Sequence, residues 1–192
     1  MKTPFLEGKN IYLRPLEEKD IEGNYVAWLN NSEVCRYNSH HVFPYTYEGA
    51  KNYIRTVSKS PSAIVLAIVL KKNDMHIGNI SLQDINYINR SAELAILIGE
   101  KKYWGKGYSK EAAYLIVNHG FQEINLHRIY CGTSIKNIPM QKLAKFLGMT
   151  EEGRRREAMY KHNLFLDIIE YGLLSKEFFR CFPQQRIKCN AK

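Results

Sequence analysis

Glu100-Lys101-Lys102-Tyr103-Trp104-Gly105-Lys106-Gly107-Tyr108-Ser109-Lys110-Glu111-Ala112 is the stretch on which the reading of this chain turns. The run before it, Ala92 to Gly99, has the character of a strand, and the run after it, Ser109 to about Phe121, has helical spacing. Glycines and lysines therefore sit where a strand gives way to a helix. Glycine lets a backbone approach a ligand closely and adopt dihedrals that other residues avoid. The first helical turn offers N–H groups without intrahelical partners and a partial positive charge. Such a junction suits an anion, above all a phosphate or pyrophosphate.

Spacing narrows the ligand. The dinucleotide fingerprint needs a third glycine, and Tyr108, Ser109 and Lys110 follow Gly107 instead. The nucleotide-triphosphate loop needs Gly-Lys-Ser/Thr after a longer glycine spacing, which is also absent.

Working outward, Asn10-Ile11-Tyr12-Leu13-Arg14 alternates and predicts a first strand, ended by Pro15. Glu18 to about Leu29 predicts a helix with Ile21, Tyr25, Trp28 and Leu29 on one face. A second helix is expected from Tyr47 to Ser58, with Thr46 as N-cap. Between them, Asn30 to Tyr45 is irregular and aromatic, and either shapes a substrate pocket or is a packed connection. Its candidate substrate contacts are Tyr37, His40 and Phe43. Ala63–Leu70, Met75–Ile85 and Ala92–Gly99 then read as three strands whose short turns make them antiparallel. In the helix after the glycine loop, Ala112, Leu115, Ile116 and His119 are spaced for one face. Arg128 to Thr133 is a strand reached through that helix, so it is expected to run parallel to the third strand. A helix from about Ile138 to Leu147 follows, with Pro139 in its first turn and Gly148 as its stop. Glu151–Lys161 and Phe165–Leu174 read as a closing hairpin, and Cys181 to Lys192 as a frayed end. No repeat or linker divides the chain, so one α/β domain with a mixed sheet is expected over residues 1–192, its core at about 9–175.

The apolar share of 45% fits a globular core, while the longest apolar run, Ala63 to Leu70, is far too short to span a bilayer. Met1-Lys2-Thr3-Pro4 carries no apolar signal region, so a cytoplasmic location is expected. Cys35, Cys131, Cys181 and Cys189 are scattered without metal-ligand spacing, and reduced thiols and no metal are expected. His40-His41 is an adjacent pair that would point apart on a strand. The net charge of +9 calls for an anionic partner, and the lysines of the opening stretch, Lys142/Lys145 and Arg154-Arg155-Arg156 are the candidate contacts. No nucleic-acid module signature accompanies them.

Lys102-Tyr103-Trp104-Gly105-Lys106-Gly107 resembles the coenzyme A loop of the GNAT acetyltransferases, whose pattern is Arg/Gln-x-x-Gly-x-Gly/Ala, with Lys here in the first place. The element order extends the resemblance from about Lys9 to Ser175. Leu13-Arg14-Pro15-Leu16, Tyr103 through Ala112, Asn137, and Leu166-Asp167-Ile168-Ile169-Glu170-Tyr171 resemble the RimJ/RimL-type branch. The resemblance implies the GNAT acyl-CoA N-acyltransferase fold, of α/β (α+β) class. That fold has a mixed, mostly antiparallel central sheet flanked by helices, with two strands that splay apart.

It also implies a chemistry. Acetyl-CoA lies in the splay, its pantetheine arm against the backbone of Ile96, Leu97 and Ile98. Amides from about Lys102 to Tyr108 (Lys102, Tyr103, Trp104, Gly105, Lys106, Gly107, Tyr108) hold the pyrophosphate, with the Ser109 hydroxyl beside them. Asn137 bonds the arm. An N–H near Ile98 polarises the thioester carbonyl, and Glu93 is the candidate catalytic base for direct attack by an amine. Two departures stand out: the family's tyrosine acid position is Ala144, and the serine of some relatives is Met140. Tyr160 and Cys131 are conjectural acids. The expected partners are coenzyme A and an amine acceptor, with a homodimer allowed for. The acceptor is a protein N-terminal α-amine or a small amine such as an amino sugar. Tyr25 to Asn31, followed by Val34, resembles members that acetylate amino-sugar nucleotides. Two other readings stay open: a non-catalytic acetyl-CoA sensor, and a basic ribosome- or RNA-associated module.

Overall fold

Ile64-Val65-Leu66-Ala67-Ile68-Val69-Leu70 is apolar at every position, and such a strand needs cover on both faces. The computed structural model, which describes residues 4–183, supplies that cover. The strands are β1 (Leu6–Glu7), β2 (Ile11–Pro15), β3 (Ile64–Leu70), β4 (His76–Asn86), β5 (Ser91–Ile98), β6 (Arg128–Ser134), β7 (Thr150–Lys161) and β8 (Leu164–Leu174). They form one eight-stranded sheet in the order β1-β2-β3-β4-β5-β6-β8-β7. The β5–β6 pair is parallel and its neighbours are antiparallel, so the sheet is mixed. The helices are α1 (Tyr25–Leu29), α2 (Tyr47–Val57), α3 (Tyr108–Gln122), α4 (Ile138–Leu147) and α5 (Ser175–Cys181).

Alternation along the strands sorts two cores. Leu66, Ile68, Leu82, Leu94 and Ile129 pack with Ile116 and Val117 of α3, Leu143 and Leu147 of α4, and Phe178 of α5. On the other face Ala67 and Val69 pack with Val26, Trp28 and Leu29 of α1 and Ala50 and Ile54 of α2. Thr46 caps α2 by accepting from the Gly49 amide at 3.0 Å. Gly148 ends α4 at φ +83°, a conformation glycine adopts without a Cβ penalty.

The feature that positions the site is where β5 and β6 part. Their register runs Ser91↔Arg128, Ala92↔Ile129, Glu93↔Tyr130 and stops. Beyond it β5 stays with β4 and β6 with β8, so Leu94–Ile98 and Cys131–Ser134 face each other across an opening wedge.

Several expectations are corrected. The helix expected over 18–29 is a 3-10 helix, Glu18–Glu22, and then α1. The Asp20 carboxylate turns back to the Glu17 amide (2.9 Å) and to Arg14 (2.6 Å), which tightens the first turn, and Gly23 breaks the run. The buried stripe of α3 is Ala112, Ala113, Ile116, Val117 and Gly120, whereas Leu115 and His119 are half-buried. β1 was not anticipated; its turn into β2 is held by Glu111 of α3, which accepts from the Asn10 amide at 2.7 Å and the Ile11 amide at 3.3 Å. His40 and His41 lie in a loop, not on a strand. α5, whose Phe178 is fully buried, ends at Cys181, where the frayed end was expected to begin. Cys189, the fraying of 184–192, and Met1 to Thr3 lie outside the described residues. No helix among the described residues is long and apolar enough to cross a membrane.

Candidate active site

One wall of the wedge is the free edge of β5. The Gly99 amide donates to the Ile77 carbonyl at 2.9 Å, on the β4 side. Backbone groups alternate along a strand, so Leu97, opposite Asn79, also faces β4, and the amides of Ile96 and Ile98 face the wedge. The amides of Ile96 and Ile98 are therefore free to meet an extended ligand, and Leu97 is not, because its backbone edge is committed to the sheet. The Ile98 carbonyl is met by the Trp104 indole N–H at 2.7 Å, which closes the wedge's outer end.

The glycine loop forms the floor at that end. The Tyr103 amide donates to the Glu100 carbonyl (2.9 Å) and the Trp104 amide to the Lys101 carbonyl (3.0 Å), so these two expected phosphate donors are taken. The amides of Gly105, Lys106, Gly107, Tyr108 and Ser109 donate to no backbone carbonyl among the described residues. Gly105 and Gly107 have φ +72° and +85°, and a Cβ added to either would meet nothing within 4 Å. Open space beside a run of unsatisfied N–H groups at a helix start is what a pyrophosphate requires. Lys72, Lys102 and Lys106 add charge, their ammonium groups 5.2–5.5 Å from the Tyr103 ring centre. Lys101 is drawn off to Glu33 at 2.6 Å.

The loop is braced from the opposite face. Glu100 accepts from Asn24 at 2.7 Å and from the Trp28 indole at 3.1 Å, and the Trp28 ring lies so close over Gly99 that no side chain fits there. His76 meets the Trp28 ring edge-on at 4.9 Å and lies 3.6 Å from buried Asp20. Burial holds the His76 imidazole below its ordinary pKa against the pull of Asp20. Burial also works against the Asp20 carboxylate, but hydrogen bonds from Arg14 and the Glu17 amide, with His76 nearby, keep it below the usual range.

Glu93 stands at the wedge's apex, in the last register pair with Tyr130. It is half-buried, accepts from Gln83 at 3.2 Å, and has no ion-pair partner among the described residues. Cross-strand pairing places Tyr130 and Glu170 on its face of the sheet. Burial, and then the charges of Glu93 and Asp84, raise the Tyr130 phenol. These neighbours of Glu93 were not foreseen, since a register legible only in three dimensions brings them there.

Asn137 caps α4, accepting from the Met140 amide at 3.3 Å and donating to Thr133 at 3.0 Å. It retains a second N–H and a second lone pair toward a ligand. Ala144 is fully buried. Cys131 is buried on the opposite core, against Met149 at 3.7 Å, and burial pushes its thiol up to about 12. Tyr160 is 59% exposed at the β7–β8 turn, bonded to Asn163. The Glu93 charge reaches the Cys131 thiol, but Cys131 lies on the opposite face of the sheet from Tyr130 and Glu93. Of the aromatic loop, the His40 carbonyl receives Lys161, Tyr37 is half-buried under Arg36, and Phe43 is 83% exposed and not gathered with the others. Arg154 pairs with Asp167 at 3.7 Å and Arg155 with Glu170 at 2.5 Å, so two of the three arginines are engaged internally.

Comparison with known proteins agrees with this geometry. Residues 10–150 match the family model described as an acetyltransferase (GNAT) domain. An uncharacterized N-acetyltransferase of Bacillus subtilis, YnaD, is 31% identical over 170 residues, 88% of this chain and 96% of the relative. The spermidine N(1)-acetyltransferase of Escherichia coli is 26% identical, with 88% of each chain covered. The crystal structure of spermidine N-acetyltransferase from Vibrio cholerae in complex with CoA and spermine superposes with a TM-score of 0.81 at 23% identity, covering 88% of this chain and 98% of that one. With the family model matched across the splayed strands and the glycine loop, this chain belongs to the GNAT acetyltransferase family and is an N-acetyltransferase.

Proposed function

We propose that the protein moves the acetyl group of acetyl-CoA to a primary amine by direct attack, with Glu93 as the base. The observation that carries this reading is the wedge that opens after Glu93↔Tyr130, with unpaired Ile96 and Ile98 amides on one wall and five undonated amides at its outer end. Acetyl-CoA supplies an activated acyl carbon there. Gly105 to Ser109 bind the diphosphate, each charge-assisted bond contributing roughly 1.5–3 kcal/mol. Ile96 and Ile98 align the arm as an added strand does. From Gly99 back to Leu94 the edge spans about 17 Å at ~3.3 Å per residue. The thioester, at the far end of the arm from the phosphates, therefore falls near Leu94–Ile96. The Ile96 amide is then the better carbonyl donor, and Ile98 lies too close to the phosphates.

Glu93 takes the proton of the attacking amine, directly or through water. A lysine-like amine of pKa ~10.4 costs about 4.6 kcal/mol to deprotonate at pH 7, an α-amine near ~7.8 about 1. The C–N bond forms as the C–S bond breaks, and the departing thiolate takes its proton from water. The branch we favour is RimJ/RimL-type, on the strength of Leu13 to Leu16 and Tyr103 to Ala112. A protein N-terminal α-amine and an amino sugar both remain within this acceptor class, and the polyamines of the relatives join them. We read the chain as one catalytic domain with a core of about 9–175. The test is thiol release from acetyl-CoA with an amine panel, products identified by mass. Tight acetyl-CoA binding with no amine acetylated would favour a sensor.

A further inference from the structure

The chain leaves the sheet for the glycine loop at Glu100. The Gly99 and Glu100 amides both donate to the Ile77 carbonyl, at 2.9 and 3.2 Å, so the bonding of this edge to β4 ends on one shared acceptor. The Glu100 carbonyl then takes the Tyr103 amide at 2.9 Å, and the backbone turns toward Gly105. What fixes Glu100 therefore fixes the direction in which the loop sets out.

A single side-chain oxygen makes the attachment. Oε1 of Glu100 accepts both from the Asn24 side-chain amide at 2.7 Å and from the Trp28 indole at 3.1 Å. Oε2 lies 3.7 Å from the Lys102 ammonium, and the Glu100 side chain is 13% exposed. A second link from the same stem, Lys101 to Glu33, is an exposed ion pair and contributes little. Trp28, in contrast, is buried. Its ring covers Gly99 and meets His76, which stands beside Asp20, and Asp20 is paired with Arg14 of β2. Glu100 is thus moored to the packed core and not to a surface turn.

The loop needs such a mooring. Glycine leaves the backbone at 105 and 107 many alternative conformations, and the amides of Gly105 to Ser109 donate to no backbone carbonyl among the described residues. Affinity falls in proportion to the fraction of molecules whose loop is in the binding shape. A negative charge beside a diphosphate opposes binding, so anion attraction does not account for a carboxylate at this place. Its acceptor oxygen does.

We propose that Glu100 is a positioning residue for acetyl-CoA: through Oε1 it holds the glycine loop against α1 in the shape that receives the diphosphate. It acts through the loop and not on the cofactor. The proposal deepens the reading of the chain as an acetyl-CoA-dependent enzyme and rests on it.

The test is calorimetry with coenzyme A, alongside thermal unfolding. Glu100→Ala should weaken binding at least about fivefold. Glu100→Gln keeps Oε1 as an acceptor and removes the charge, so it should bind within about twofold of wild type or more tightly. Trp28→Phe keeps a ring over Gly99 but withdraws one donor; it should cost about threefold in wild type and nothing further in Glu100→Ala. Glu111→Ala, which frees the Asn10 and Ile11 amides far from this contact, controls for general destabilisation and should keep its affinity. A folded Glu100→Ala variant that loses less than about fivefold overturns the assignment, as does a Glu100→Gln variant more than about twofold weaker than wild type. Equal losses from Trp28→Phe in both backgrounds, or a loss in Glu111→Ala matching that of Glu100→Ala, also overturn it. Should Glu100→Ala not fold, Glu100→Gln and Trp28→Phe decide: no loss in Trp28→Phe, or a loss in Glu100→Gln, overturns it. Wild-type protein that binds no coenzyme A refutes the acetyl-CoA reading itself, whereas wild-type binding that is indifferent to position 100 refutes the positioning role alone.

Discussion

Replacing Gly105 by valine probes the phosphate grip with little else disturbed. Gly105 has φ +72°, and an added Cβ meets nothing within 4 Å. The protein itself therefore offers no clash, and the cost to folding is conformational, about 1–2 kcal/mol for an L-residue in this region and more for a β-branched one. The open space is where the diphosphate must approach. Losing one charge-assisted bond of roughly 1.5–3 kcal/mol weakens binding about 10- to 150-fold. Gly153→Val is the control: Gly153 sits in exposed β7, away from the loop, with nothing within 4 Å of an added Cβ. Calorimetry with coenzyme A gives the affinities and thermal unfolding reports the fold. A folded Gly105→Val variant, or Gly105→Ala should valine prove too destabilising, that binds coenzyme A within about threefold of wild type would refute the loop assignment.

Glu93→Gln should lower kcat by roughly 10²–10⁴-fold for a high-pKa amine and less for a low-pKa one, with the acetyl-CoA KM unchanged; equal, small losses for both would remove Glu93 as base. His76 is held below its unfolded pKa by burial, so the unfolded chain binds the extra proton as pH falls through the unfolded value of 6.5. Its contribution to stability is present above pH 6.5 and declines below it, with a slope of up to about 1.4 kcal/mol per pH unit, until the folded pKa is reached. Denaturant titrations between pH 8 and 5 should show this decline, and His76→Gln should flatten it; an unchanged slope would contradict the assignment. Glu111→Ala should cost about 1.5–3 kcal/mol of stability by freeing the Asn10 and Ile11 amides, yet leave the coenzyme A affinity of the folded variant intact, since this motif glutamate braces the β1–β2 turn.

The strand–glycine–helix junction was legible because backbone demands there are local: glycines for positive φ, a helix start for free amides. The long apolar β3 and the proline and glycine bounding α4 were legible for the same reason. What escaped depends on pairing between distant segments. Asp20 is acidic in sequence and pattern, but only Arg14 beside it shows why the 18–29 helix tightens and breaks. Trp104 and Tyr103 read as phosphate donors until their amides are seen to close a short 3-10 turn. Leu97 cannot be told from Ile96 and Ile98 without knowing which strand lies on which side of β5. Lys161 ends an otherwise exposed strand, and nothing in its immediate neighbours indicates that it is buried against His40.

Residue-resolved amide exchange, with and without acetyl-CoA, tests the wedge most directly. Binding should protect the amides of Ile96, Ile98 and Gly105 to Ser109, while Leu97, Tyr103 and Trp104, already engaged with the protein's own carbonyls, change little. Protection gained at Leu97 and Tyr103 instead, or no change along the β5 edge on saturation, would contradict it.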